Sequence, residues 1–298
     1  MAPKLSPKKA REAIKNIRRE IRDYFQKHNL KYAVFGKSMG VDSSVVAGLL
    51  AQIHGIKPIG VIMPCESDDN DERIGRLVLN YYKIPIIKVD LTSTYHSVKS
   101  FLNQSTLNQQ ILKAVEKNEI SVFKKRLVEK EKFALGNIKA RLRMITLYHL
   151  AQLTGGLVIS TGNYSESLLG FTTLHGDTGD LSPIGEIFKG AELYDIAKGL
   201  KVPKESLEAI PADGLGISQY DEDQLGLSYH RIDEILTVLL KKQFNHQKPI
   251  TKELITKISG ATNIPKDKIL SVIKRVKQNA FKRKVPIIIK RKAIGLSD

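Results

Sequence analysis

Four short apolar runs, separated by stretches of helical spacing, restrict this chain more than any other feature of its sequence. Residues 32–35 (YAVF), 58–64 (PIGVIMP), 85–91 (PIIKVDL) and 156–161 (GLVIST) read as strands. After the first, Val45, Val46, Leu49, Leu50 and Ile53 recur at helical spacing from about residue 42. An acidic helix start, ESDDNDERIGRLVLNYY, separates the second run from the third, and a long helix over about 136–153 precedes the fourth. Strand, helix, strand at this spacing predicts an α/β fold built on a doubly wound parallel sheet, because parallel neighbours need a crossover between them.

Residues 8–28 form an amphipathic helix, with Ala13, Ile14, Ile17, Ile21, Tyr24 and Phe25 on one side and basic residues on the other. Beyond residue 190 the pattern turns helical throughout, in GAELYDIAKGL, SYHRIDEILTVLLKK, TKELITKIS and KDKILSVIKRVKQNAFKR, which predicts extra C-terminal helices packed on or beside the sheet. The chain therefore divides into a basic helix at 1–31, a domain at 32–240 and a basic helical extension at 241–298. The tail VPIIIKRKAIGLSD reads equally as a partner-binding extension or as disorder.

The formal net charge of +17 matters by its location: residues 1–31 carry ten Lys/Arg against three acids, and residues 241–298 carry sixteen against three. The 209 residues between are left at a net −3. The basic ends fit solvated helices, a rim that attracts polyanionic nucleotides, or an RNA-binding face, and charge alone does not separate these. Cys65 is the single cysteine, which excludes an internal disulfide and a cysteine-based zinc cluster. The seven histidines show no HExxH-like spacing. No apolar run approaches the ~20 residues that span a bilayer, and the first 25 residues lack the apolar core of a secretory signal, so the expected location is the cytoplasm.

Chemistry is expected in the loop after the first strand, since ligands of open parallel sheets bind beyond the carboxyl ends of the strands. There the sequence reads FGKSMGVDSS, in which GKS imitates the end of a Walker loop although Lys31 stands where its opening glycine belongs. Backbone amides and the following helix N-terminus hold a phosphate without a Walker lysine. Ser38 and Ser43 offer hydroxyls, Gly40 allows close approach, and Asp42 is able to hold Mg²⁺ or merely to cap the helix.

SMGVDS resembles the SGGxDS loop of the ATP pyrophosphatases, which have the adenine nucleotide α-hydrolase-like fold. Further on, GNIKARLRM, STGNYSESLLGF, HGDTGDLSPIGEIFK and YDEDQLGLSYHRIDEIL resemble, in order, the signatures of ammonia-dependent NAD synthetase. The resemblance implies that ATP and Mg²⁺ activate deamido-NAD as an adenylate and that ammonia displaces AMP to give NAD, in a cytoplasmic homodimer that takes small-molecule substrates, with neither nucleic acid nor membrane as partner. No glutamine-hydrolysing domain is expected at this length.

By the same resemblance, the ATP site comprises Gly36, Lys37, Ser38, Met39, Gly40, Val41, Asp42, Ser43, Thr161 and Lys189, with Asp42 and Lys189 catalytic and Asp42 and Glu166 on the metal. Glu166 also stands three residues after Asn163, the spacing of a capping box. Asn137, Arg141, Asp177, Asp180 and Lys282 fall on the deamido-NAD side. Asn137 and Arg141 share a helix face, with Arg143 on another face as the one left exposed.

This chain departs from the family pattern at Met39, in place of a loop glycine, at Leu174, in place of lysine, at Ala212, in place of Ser/Thr, and at Phe281, in place of histidine. Met39 is costly if its position needs a positive φ, and Lys37 adds a cation that the pattern does not require. Two other readings compete: a phosphate-loop pyrophosphatase acting on tRNA, which the single cysteine disfavours, and a nucleotide-binding relative with impaired catalysis.

Overall fold

The computed structural model of the protein describes residues 3–102, 105–114, 119–212, 214–244, 246 and 249–285. The tail from residue 286 onward, including most of VPIIIKRKAIGLSD, lies outside the described residues. In chain order the elements are α1 (Pro7–Lys27), β1 (Tyr32–Gly36), α2 (Val41–Leu50), β2 (Lys57–Ile62), α3 (Asp69–Tyr81), β3 (Ile86–Lys88), α4 (Thr92–Leu102), α5 (Ser105–Ala114) and α6 (Ile120–Thr154). They continue with β4 (Leu157–Val158), α7 (Tyr164–Leu169), α8 (Glu192–Leu200), α9 (Lys204–Leu207), α10 (Asp221–Leu225), α11 (Tyr229–Lys241), α12 (Lys252–Thr262) and α13 (Lys266–Gln278), closed by a 3-10 turn at Ala280–Arg283.

The sheet order is β3-β2-β1-β4, all parallel, with Val34 opposite Ile59 on one side and Val158 on the other. Successive side chains of a strand point to opposite faces. Accordingly Ala33 and Phe35 enter an apolar cluster with α1, α2, α3 and α8, while Val34 enters another with Met144, Leu147 and Ala151 of α6. This is the doubly wound arrangement that the strand spacing predicts. A third cluster, built from α7, α11, α12 and α13, forms the C-terminal helical layer.

Some elements differ in extent from their sequence-based limits. The third and fourth strands shrink to 86–88 and 157–158, the latter prolonged by one parallel bridge between Ile159 and Leu181. The long helix starts at Ile120, well before residue 136.

Local chemistry sets the boundaries that position the site. Ser6 caps α1 by accepting from the Lys9 amide, and Pro7 opens the helix where a missing N–H costs nothing. Asn163 and Glu166 form a full capping box on α7, and Gly170 ends that helix at φ +61°. A side chain at residue 170 would also collide with Asn279, whose Cβ lies 2.2 Å from the position a Cβ would take.

Candidate active site

Strand β1 delivers its loop to the carboxyl end of the sheet, where α2 begins at Gly40 without a side-chain cap. The loop is tied internally: the Ser38 amide donates to Ser43 Oγ at 3.3 Å and the Gly40 amide to Ser38 Oγ at 3.2 Å. Met39 is not among the residues with positive φ, so a side chain there carries no backbone strain. Lys37 is buried beneath the loop, with Nζ donating to Ser43 Oγ at 3.2 Å and to the Ser38 carbonyl. Burial pushes its ammonium down to about 7, against the pull of Asp71 and Asp42.

Opposite the loop, α7, the turn after residue 187, α10 and α11 place Glu166, Lys189, Asp221 and Tyr229. Lys189 Nζ lies 2.8 Å from Glu166 Oε1, 3.2 Å from Asp42 Oδ2 and 3.6 Å from Asp221 Oδ2, with the Tyr229 ring centroid at 4.4 Å. Asn163 ties the two halves together, donating from Nδ2 to Asp42 Oδ1 at 2.7 Å. The lysine backbone is fixed from behind. Its amide donates to Ser165 Oγ, and buried Asp233 accepts from both Ser165 Oγ and the Gly190 amide at 2.6 Å. Gly190 admits no side chain, because a Cβ there would meet His230 Cα at 2.5 Å.

Three carboxyl groups around one buried ammonium leave an anionic surplus. Burial pushes the Glu166 carboxyl up to about 7 against the pull of Lys189, with Asp42 and Asp221 adding to the rise. Burial alone would lower Lys189, but Asp42 and Glu166, helped by Tyr229 and Asp221, hold it well above the ordinary lysine range. The cluster is therefore a permanent cation set among acids that favour more positive charge.

The loop, Thr161, Glu166 and Lys189 line one open cavity of about 1460 Å³, which also reaches Asp177 and Lys282. A cleft of this size fits extended nucleotides. The match to known proteins decides the family: the NAD synthase model covers residues 13–286. The chain belongs to the NAD synthase family. It is 35% identical over 238 residues to the NH3-dependent NAD synthetase of Finegoldia magna, covering 80% of this chain and 86% of the relative. Against the enzyme of the same name from Methanocaldococcus jannaschii it is 35% identical over 279 residues, 92% of this chain and 95% of that one. In fold it resembles the NH3-dependent NAD synthetase of Campylobacter jejuni (TM-score 0.65, 23% identity, 94% of this chain and 99% of that one). It also resembles an NMN synthetase from Francisella tularensis (TM-score 0.69, 23% identity, 96% and 99%).

The NAD synthase signatures gather the other candidates around one loop, 170–180. Asn137 Oδ1 accepts from Thr173 Oγ1 at 2.7 Å, Arg141 Nε donates to the Leu174 carbonyl at 3.2 Å, and Asp177 Oδ2 accepts from the Thr173 amide at 2.7 Å. Asp180 accepts from Tyr148 Oη at 2.7 Å and from the Val158 amide at 3.0 Å. Lys282 donates to the carbonyls of Gly170 and Thr172 at 2.9 and 2.8 Å.

Arg141 and Asn137 do share the face that meets the 170–180 loop, but Arg143 is not the one left exposed. Arg141 is exposed on the outer side of α6, while Arg143 lines the cavity and donates to the Met63 carbonyl and Ser67 Oγ. Helical spacing separates the two faces but does not say which one the sheet covers. Asp71, Lys139 and Asp221 line the cavity and the Tyr229 ring packs on Lys189, and sequence reasoning singled out none of them. Asp221 does stand second in the YDEDQLG motif, after Tyr220, the one signal that pointed to it.

Proposed function

We propose that this protein makes NAD from deamido-NAD, ATP and ammonia, releasing AMP and pyrophosphate. The observation that carries the reading is the meeting of Asp42, Glu166 and Lys189 at the mouth of the β1 loop, within a chain of the NAD synthase family. In the first step a nicotinate carboxylate oxygen attacks the α-phosphorus of ATP, and the bond to the β-phosphate oxygen breaks with its electrons leaving on pyrophosphate. In the second, ammonia adds to the acyl carbon, the carbon–oxygen bond to AMP breaks, and the nitrogen loses a proton to solvent.

Both steps need alignment and charge neutralisation more than acid or base. Residues Gly36 to Ser43 would cradle the phosphates through amides and hydroxyls, with Thr161 beside them and Lys189 as the fixed cation facing the departing pyrophosphate. Asn137, Arg141, Asp177, Asp180 and Lys282 would shape the deamido-NAD side through the 170–180 loop. The donor set suits Mg²⁺: Asp42 and Glu166 already share a cation in Lys189. Among the described residues no three His, Cys, Asp or Glu side chains form a metal-ligating group, so phosphate oxygens and water would complete the shell, as this ion favours. Mg²⁺ held there would neutralise the phosphates.

Purified protein with ATP, Mg²⁺, deamido-NAD and ammonium should release AMP and NAD in equal amounts. No AMP above a control lacking deamido-NAD counts heavily against the assignment, and stimulation by tRNA instead would transfer it to the tRNA-acting class.

We further propose a homodimer, supported by exposed Ile145, Tyr148 and Leu153 on the outer side of α6, next to the 170–180 loop. Among the described residues no helix is long and apolar enough to cross a membrane, and we propose the cytoplasm as its location. The division into 1–31, 32–240 and 241–298 is proposed as three sequence segments serving one catalytic unit, consistent with a family match that runs through all of them.

A further inference from the structure

The peptide of Met39, at the crest of the β1 loop, is gripped by two elements distant in sequence. Asp71, in the first turn of α3, accepts the Met39 amide through Oδ1 at 2.5 Å, and Ser206 of α9 donates to the Met39 carbonyl at 2.8 Å. A charged acceptor on a backbone amide is among the stronger hydrogen bonds. Asp71 lines the same cavity as the loop, so its carboxylate is a negative charge resting on the surface where a polyphosphate would lie.

Ser206 is itself fixed, lying 2.6 Å from Ser44 Oγ and fully buried, so the carbonyl side of the Met39 peptide is rigid. The amide side is held by a single carboxylate at the start of a helix, partly open to the cavity. One peptide thus has a permanent clamp and an exchangeable one.

We propose that Asp71 is an internal anion of this loop, occupying the place of a phosphate oxygen, so that nucleotide and Asp71 compete for the Met39 amide. This rests on reading the loop as the triphosphate site. The exchange keeps the charge near Lys37 balanced: its buried ammonium faces Asp71 and Asp42 in the free loop, and would face phosphate once Asp71 lets go. It also tempers affinity for pyrophosphate, a product that must leave the site at each turnover.

The test is calorimetric titration of the full chain with pyrophosphate and with ATP, in the presence of Mg²⁺, comparing wild type with Asp71→Asn and Asp71→Ala. Both variants are expected to bind pyrophosphate roughly tenfold more tightly, since Asn offers the Met39 amide only a neutral competing acceptor and Ala none. A role confined to holding the loop predicts the opposite sign. Variants that bind equally or more weakly, whether from a lost contact or a loosened loop, overturn the proposal. A wild type that binds neither pyrophosphate nor ATP overturns instead the reading of the loop on which it rests.

Discussion

At the residue scale the site is a question of where charge is allowed to remain. Lys189 is buried against three carboxyl groups, and removing one member of such a cluster strands the others. Lys189→Met is expected to cost about 3–5 kcal/mol in urea denaturation, the range for breaking a buried ion pair, and to abolish AMP release. Full activity in that variant would remove the lysine from the mechanism. Asp233 permits a pH test: burial lifts its carboxyl to about 6, against the donors Ser165 and Gly190. A raised carboxyl contributes stability that is complete below its unfolded value of 3.8 and is lost as pH rises through about 6. The stability of wild type relative to Asp233→Asn should therefore fall by about 2 kcal/mol between pH 4 and 7, and a difference that stays flat would contradict the assignment. Asp42, Glu166 and Lys189 were legible because each stands in a motif of fixed order. Asp71 was not, since an acid in an acid-rich helix start looks like any other dipole-stabilising residue, and Asp221, although inside a quoted motif, was passed over for the same reason.

At the element scale, α11 and the turn bearing Lys189 press together without space for a methyl group. Gly190→Ala would drive a Cβ toward the His230 backbone, and backbone is the hardest neighbour to displace. We expect a loss of about 1–3 kcal/mol and a fall in AMP release larger than global unfolding explains, measured by melting and steady-state kinetics on one preparation. The parallel sheet and the placement of helices on both faces could be read from apolar spacing, since buried parallel strands are almost uniformly apolar; the order β3-β2-β1-β4 could not. The first half of α6 could not, because residues such as Lys124, Lys125, Glu129 and Lys130 are exposed there and leave no apolar stripe to detect. Helix α4, which buries Tyr95, was hidden for a related reason: its sequence, TSTYHSVKSFL, is rich in hydroxyls and offers few apolar positions.

At the scale of the whole molecule, two apolar clusters sandwich the sheet and a third holds the C-terminal helices against α7, so the Glu166 helix is clamped between layers. The outer side of α6 is the surface that a second copy would cover. Ile145→Glu combined with Leu153→Glu should shift sedimentation to the monomer without disturbing melting, and an unchanged sedimentation coefficient would argue against this face as the contact. The N-terminal helix sets a condition on biosynthesis. Helix α1 packs on α8, and the Leu5 amide reaches Asp195 Oδ2 at 2.9 Å, so its docking surface is completed only after ~190 further residues have been added. At ribosomal speeds of about 5–20 residues per second, the sticky stripe of Ile14, Ile21 and Phe25 waits roughly 10–40 s for its partner, long enough for a chaperone to be its first companion.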